Sequence, residues 1–198
     1  KALPALKKRL RNDGVMDLAR AIMTTDTVPK AVSRQVATAT GQFTVTAVAK
    51  GAGMIRPDMA TMLCFIMTDI GASPADLQEM LAAACGRSFN RISIDGDTST
   101  NDTVLVMANG RSGIDINDPA NLDLFQGALA EVTKDLAKWL VKDGEGVTKL
   151  VEIFIKGAAS DADAARIAST VAHSNLVKTA LFGEDANWGR IIAAVGRA

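Results

Sequence analysis

The stretch from Lys50 to Leu63 (KGAGMIRPDMATML) joins Gly51, Gly53 and Pro57 to a threonine at the head of an apolar run. Glycines and a proline at this spacing force an irregular backbone, which can hold a strained peptide bond ahead of Thr61. A threonine hydroxyl inside a chain is a poor nucleophile. Cutting the Ala60–Thr61 bond would change that, because the freed α-amine, with an ordinary pKa of about 7.7–8.0, is a base tethered beside the hydroxyl. This chemistry needs no histidine, and His173 is the one histidine of the chain. A threonine at a strand start is also a common structural feature. Residue types alone therefore leave Thr61 open between nucleophile and scaffold.

Other chemistries find less support. One His and two Cys without clustering do not build an ordinary zinc site, so no metal is expected. His173 falls in a helical pattern and reads as structural. Asp95-Gly96-Asp97-Thr98-Ser99-Thr100 begins like a calcium loop, but Thr100 stands where glycine is required and Val106 where the closing glutamate belongs. Gly51-Ala52-Gly53 lacks the third glycine of a dinucleotide loop, since Arg56 takes its place. No Gly-Lys-Ser/Thr phosphate loop occurs, so nucleotide binding has no support and no cofactor is expected, and without a Gly-x-Ser-x-Gly elbow a His-dependent hydrolase is disfavoured.

Composition narrows the class. The 198 residues are 48% hydrophobic and 22% charged, enough to bury a core. With 22 Lys+Arg against 22 Asp+Glu there is no basic field for a nucleic acid. The longest strongly apolar run, Met62 to Met67, is far too short for a membrane span. Cys64 and Cys85 make no disulfide framework and no signal-peptide pattern opens the sequence, which points to a reducing cytoplasm. The first residue, Lys1, suggests a processed piece or a fragment.

The elements that must position Thr61 follow from periodicity. Leu3, Leu6 and Leu10 share a helical face, and Asp17 to Met23 continues as helix until Thr24 to Pro29 breaks it. Phe43, Val45, Ala47 and Ala49 alternate with Thr44, Thr46, Val48 and Lys50, predicting a strand over 42–50. A second strand or a buried apolar element is expected over 61–68, and further strands over 92–94, 104–107 and 151–156. Ser73 followed by Pro74 and Asp76 predicts a helix to about Gly86. Asp118 with Pro119 starts a long helix carrying Phe125, Ala128, Val132 and Leu136, ending before Asp143. Ser160 with Asp163 opens another. No fixed-period repeat is visible, and the alternation of strands and helices reads as one α/β domain over 1–198.

Four motifs now combine: TTDTVPK (24–30), KGAGMIRPDMATML (50–63), SIDGDTSTNDT (93–103) and GEDANWGR (183–190). Together, and in this order, they resemble the ornithine acetyltransferase family, whose bifunctional members are also glutamate N-acetyltransferases. The resemblance covers nearly the whole chain. It implies a layered αββα sandwich and self-cleavage between Ala60 and Thr61, leaving residues 1–60 as part of an alpha chain and 61–198 as part of a beta chain. It further implies that Thr61 is the catalytic nucleophile, taking an acetyl group from N-acetylornithine and passing it to glutamate by ping-pong transfer in arginine biosynthesis. Acetyl-CoA is a possible further donor in bifunctional members.

By the same resemblance Thr27, Lys50, Thr61 and Glu145 bind substrate. A cationic Lys50 suits a carboxylate and an anionic Glu145 an ammonium. Asp95, Asp97, Asn101 and Asp102 are expected to hold backbone groups of a loop, and Trp188 with Arg190 to serve packing or an interface. The family's oxyanion donors, on a Thr-Gly pair, are expected before the region aligned with Lys1, and further pocket residues after Ala198. Residues 1–60 carry ten Lys+Arg against four Asp+Glu, and residues 61–198 twelve against eighteen. The opposite net charges should help the cleaved chains stay together, in a higher hetero-oligomer, although apolar burial should dominate. Two alternatives stay open: amide or peptide hydrolysis on the same self-processing scaffold, and a truncated, non-catalytic fragment.

Overall fold

Alternating burial along β2 (Gln42–Lys50) sets the architecture: Phe43, Val45, Ala47 and Ala49 lie almost wholly inside on one face. The computed structural model describes residues 2–56, 62–99 and 101–198. Within it β2 pairs antiparallel with β1 (Lys30–Ala37) on one side and β3 (Leu63–Thr68) on the other, and β4 (Thr103–Ala108) joins β3 in parallel, giving the order β1-β2-β3-β4. A parallel neighbour requires a crossover. Helix α3 (Pro74–Arg87) supplies it, started by Ser73, whose hydroxyl accepts the Asp76 amide.

Helix α4 (Pro119–Lys142) packs across β1 and β2 and against α3. Its buried stripe runs Phe125, Leu129, Val132, Leu136, Leu140, the helical spacing that faces one sheet. Phe125 meets Phe43 edge-on, ring centroids 6.0 Å apart. Thr133 is fully buried on the same helix, and its hydroxyl is satisfied by the Leu129 and Ala130 carbonyls. Two short helices, α1 (Leu3–Lys8) and α2 (Val15–Ala21), precede the sheet.

The last third forms α5 (Asp161–Ala172), α6 (Asn175–Phe182) and α7 (Trp188–Val195), opened by the caps Ser160, Ser174 and Asn187. They share a small core of Val171, Val177 and Ala194. Polar contacts join this group to the sheet layer: Ser93 Oγ lies 2.8 Å from His173 Nε2, and Lys178 Nζ donates to the Ile94 carbonyl at 2.7 Å.

The α/β class holds, with corrections in detail. Strand β1 is present where the sequence drew no element. Residues 92–94 form no strand; they follow a short 3-10 turn (Phe89–Arg91), and Ile94 instead donates its amide to the Ile55 carbonyl while its side chain packs beneath Gly144. Residues 151–156 form no strand either, because alternation without a neighbouring strand edge gives no ladder; Val151 and Phe154 stay exposed. The described residues build one sheet of the layered arrangement. The face turned away from α4 carries Phe65, Met67, Leu105 and Met107, part-buried or exposed, and the fully buried Val48. The expected start of β3 at Thr61 lies outside the described residues.

The α4 stripe is the main apolar contact of the sheet. Phe125→Ala should therefore lower stability by about 3–5 kcal/mol, the usual cost of emptying a buried aromatic site, measured by urea unfolding followed by circular dichroism.

Candidate active site

Leaving β2, the backbone turns sharply: Gly51 has φ 148° and Met54 φ 51°, the second a left-handed conformation costly for a side-chain-bearing residue. The amides of this segment have no strand ladder to donate to. Three carboxylates take them. Asp26 accepts the Gly51 amide at 2.7 Å, Asp95 accepts Met54 at 2.6 Å and Ile55 at 3.0 Å, and Asp102 accepts Met62 at 2.7 Å. Asp95 and Asp102 thus hold backbone as the sequence suggests, on either side of residues 57–61.

Thr61, with Ala60 and the bond between them, lies outside the described residues. Its neighbour Met62 is buried and lines a cavity of about 330 Å³ together with Lys50, Met54, Leu63, Thr98, Ser99 and Asn101. Lys50 sits opposite Leu63 at the β2–β3 edge, on the sheet face away from α4. A larger cavity of about 450 Å³, bordered by Arg56, Gly96, His173 and Lys178, includes none of Thr27, Lys50 and Glu145.

Thr27 and Glu145 approach the same Gly51–Gly53 turn from another direction. The Glu145 amide donates to the Ala52 carbonyl at 2.8 Å, and a Cβ on Gly53 would stand 3.1 Å from the Glu145 carboxylate, so the carboxylate packs closely over that glycine. Thr27 donates its amide and hydroxyl to Asp143, two residues before Glu145. The structure thus gathers Thr27, Lys50 and Glu145 around one turn; Lys50 alone of the three lines the smaller cavity.

A group without an assigned role in the sequence reading sits beneath them. Lys30, fully buried at the start of β1, places its ammonium 2.6 Å from Asp26 and 2.5 Å from Asp143. Both carboxylates are nearly inaccessible, at 0% and 6% side-chain exposure, so the three charges interact with little solvent screening. Of the sequence motifs only TTDTVPK, which contains Asp26 and Lys30, touches this cluster, because sequence does not reveal that a lysine is inside.

Burial pushes the Asp26 carboxyl up, but hydrogen bonds from the Gly51 amide, Lys30 and the Thr24 amide carry it below its ordinary value. Asp143 likewise ends lowered: burial opposes ionisation, and the bonds from Lys30 and Thr27 outweigh it. Asp102 goes the other way. Burial raises its carboxyl against the Met62 amide and the Lys50 charge, and its Oδ2 is buried without a partner among the described residues. His173 is pushed down by burial, with Ser93 on one ring nitrogen and Ser169 on the other. Among the described residues no group of three or more His, Cys, Asp or Glu could hold a metal ion, and no helix is long and apolar enough to cross a membrane.

Asp26 and Asp143 titrate lower in the folded chain than unfolded, so their contribution is complete above about pH 4 and lost as pH falls through the lowered folded values. Asp102, shifted upward, favours the fold at low pH, so Asp102→Asn should steepen the acid loss in urea titrations between pH 2 and 6. Removing the cation is harsher: Lys30→Met leaves two buried carboxylates uncompensated and should cost about 3–5 kcal/mol, read by the same titration at neutral pH.

With this geometry in view, comparison with known proteins identifies the chain's relatives. The curated Arginine biosynthesis bifunctional protein ArgJ of Syntrophotalea carbinolica is 54% identical over 198 residues, covering 99% of this chain and 50% of that protein. Its namesake from Methylococcus capsulatus is 50% identical over 199 residues, covering 100% of this chain and 49% of the relative. The chain thus spans about half the length of the curated relatives it matches. The crystal structure of Arginine biosynthesis bifunctional protein argJ from Bacillus halodurans superposes with a TM-score of 0.64 at 46% identity, over 67% of this chain and 63% of that one. Residues 1–198 match the ArgJ family throughout, and the chain belongs to that family.

Proposed function

We propose that this chain carries the nucleophile and part of the substrate pocket of an acetyltransferase that moves an acetyl group from N-acetylornithine to glutamate in arginine biosynthesis. The observation that carries the reading is the position of Met62, the residue after Thr61. Its amide is held by Asp102 at the wall of a 330 Å³ cavity that Lys50 also lines. Two polar anchors, Asp95 and Asp102, thus fix the approaches to the proposed Ala60–Thr61 cut.

In the uncut chain the Thr61 hydroxyl attacks the Ala60 carbonyl, shifting the acyl group from nitrogen to oxygen, and water releases the ester. The freed amine then serves as base while the same hydroxyl accepts the acetyl group from N-acetylornithine, ornithine leaves, and the amine of glutamate takes the acetyl. Lys50 attracts the substrate carboxylate, Glu145 the side-chain ammonium, and Thr27 lines the pocket. Donors for the oxyanion come from polypeptide outside this chain; losing one typically costs about 100-fold to 1000-fold in rate. No cofactor enters the cycle, with acetyl-CoA a possible second acetyl donor. The cut chains remain associated in a hetero-oligomer, in the cytoplasm, with neither nucleic acid nor membrane as partner.

Intact mass and amino-terminal sequencing of the full-length protein should give a new terminus Thr-Met-Leu. Thr61→Ala should leave one uncut chain without acetyl transfer; a cut Thr61→Ala protein places the nucleophile elsewhere. Lys50→Ala and Glu145→Ala should each raise KM for N-acetylornithine by about tenfold or more, the loss expected for one charged hydrogen bond. Acetate release without acetylglutamate would instead identify a hydrolase.

A further inference from the structure

The Lys30 cluster does more than fill the space under the turn. Its two carboxylates each hold a piece of the proposed pocket wall: Asp26 takes the Gly51 amide, directly after Lys50, and Asp143 takes both the amide and the hydroxyl proton of Thr27. Against the Lys30 ammonium Asp143 is ionised, and an ionised carboxylate can only accept. A threonine hydroxyl has one proton. With that proton committed to Asp143, the exposed Thr27 oxygen has only lone pairs to offer a ligand.

The charge balance acts in the same direction. One ammonium faces two carboxylates, so the cluster under Thr27 carries a net negative charge that repels a ligand oxyanion. Turning the hydroxyl to donate to such a ligand would break its bond to Asp143 as well. Lys30 pairs with Ala49 and faces the α4 side of the sheet, whereas Lys50, the next residue of β2, faces the other side, so the charge suited to a carboxylate is set apart from the cluster.

We propose that Lys30, Asp26 and Asp143 are positioning residues that lock the Thr27 hydroxyl as a hydrogen-bond acceptor, so that this point of the pocket takes the amide N–H of an N-acyl amino acid and rejects an oxyanion. The inference rests on the reading of Thr27 as a pocket residue. It assigns Lys30 a role through Asp143, with no contact to substrate.

The test uses the full-length enzyme, N-acetylornithine as substrate, and as competitive inhibitor its ketone isostere, in which a methylene replaces the amide N–H. Thr27→Ala should raise KM about tenfold with kcat within about twofold, and Thr27→Ser should restore KM. The inhibition constant of the ketone, which has no N–H to lose, should not change in Thr27→Ala. Asp143→Asn should raise KM as Thr27→Ala does, and the double variant should be no worse than either alone. A ketone weakened in parallel with the substrate, or effects that multiply in the double variant, overturns the assignment. Thr27→Ala with unaltered KM removes Thr27 from the pocket, which is failure of the functional reading itself. If Asp143→Asn does not fold, the ketone comparison in Thr27→Ala decides the matter alone.

Discussion

A backbone that leaves a sheet must find new partners for its amides, and this constraint organises the candidate site. Of the residues between β2 and β3, the described ones, 51–56 and Met62, lie in no strand, yet Gly51, Ile55 and Met62 are buried. An unpaired buried amide is costly. Asp26 from the loop before β1, and Asp95 and Asp102 from the one loop before β4, meet the demand, each with a charged acceptor, and charge-assisted bonds of this kind are stronger than bonds to a carbonyl. The left-handed Met54 is stable in that setting because its amide is one of those held. What looks in sequence like a loose glycine-rich linker is therefore tied down on both sides of residues 57–61.

The second consequence concerns where charge can be buried. Asp143 caps the C-terminal end of α4, where the helix dipole disfavours an acid. It is tolerated because Lys30 approaches from the start of β1 and Thr27 supplies two further donors. A buried cluster with two acids to one base is a poor source of net stability. It does bind three segments to a common origin: the loop before β1, the turn after β2 and the end of α4. Those segments carry Thr27, Lys50 and Glu145.

Helices were legible in the sequence where capping and periodicity agreed, as in α3, α4 and α5, since local signals of that kind need no tertiary partner. Strands were less so. Strand β1 is an edge strand whose Ser33, Arg34 and Gln35 hide the alternation of Val32 and Val36, and pairing with β2 decides it. Residues 92–94 and 151–156 have the alternation and lack the partner. The site divides in the same way. Motifs marked Thr27, Lys50 and Glu145, and the expectation that Asp95 and Asp102 hold backbone follows from their loop composition. The burial of Lys30 and of the Asp102 carboxylate depends on packing between segments 40 to 113 residues apart, which no local pattern encodes.

If the chain is cut at the proposed bond, the same geometry determines how the two pieces hold together. Strands β1 and β2 belong to the first piece, β3 and β4 to the second, and the ladder from Val45 opposite Thr68 to Lys50 opposite Leu63 crosses between them. Helix α4, in the second piece, covers β1 and β2 of the first. The opposite net charges of the pieces act through two kinds of contact. Arg34 with Asp135 and Glu131 is a part-exposed pair that salt screens, whereas Lys30 with Asp143 is enclosed and responds little to ionic strength. Apolar burial under α4 and the shared ladder therefore dominate the association. In such a cut pair salt would weaken the part-exposed Arg34 contacts first and leave the enclosed Lys30–Asp143 pair little changed.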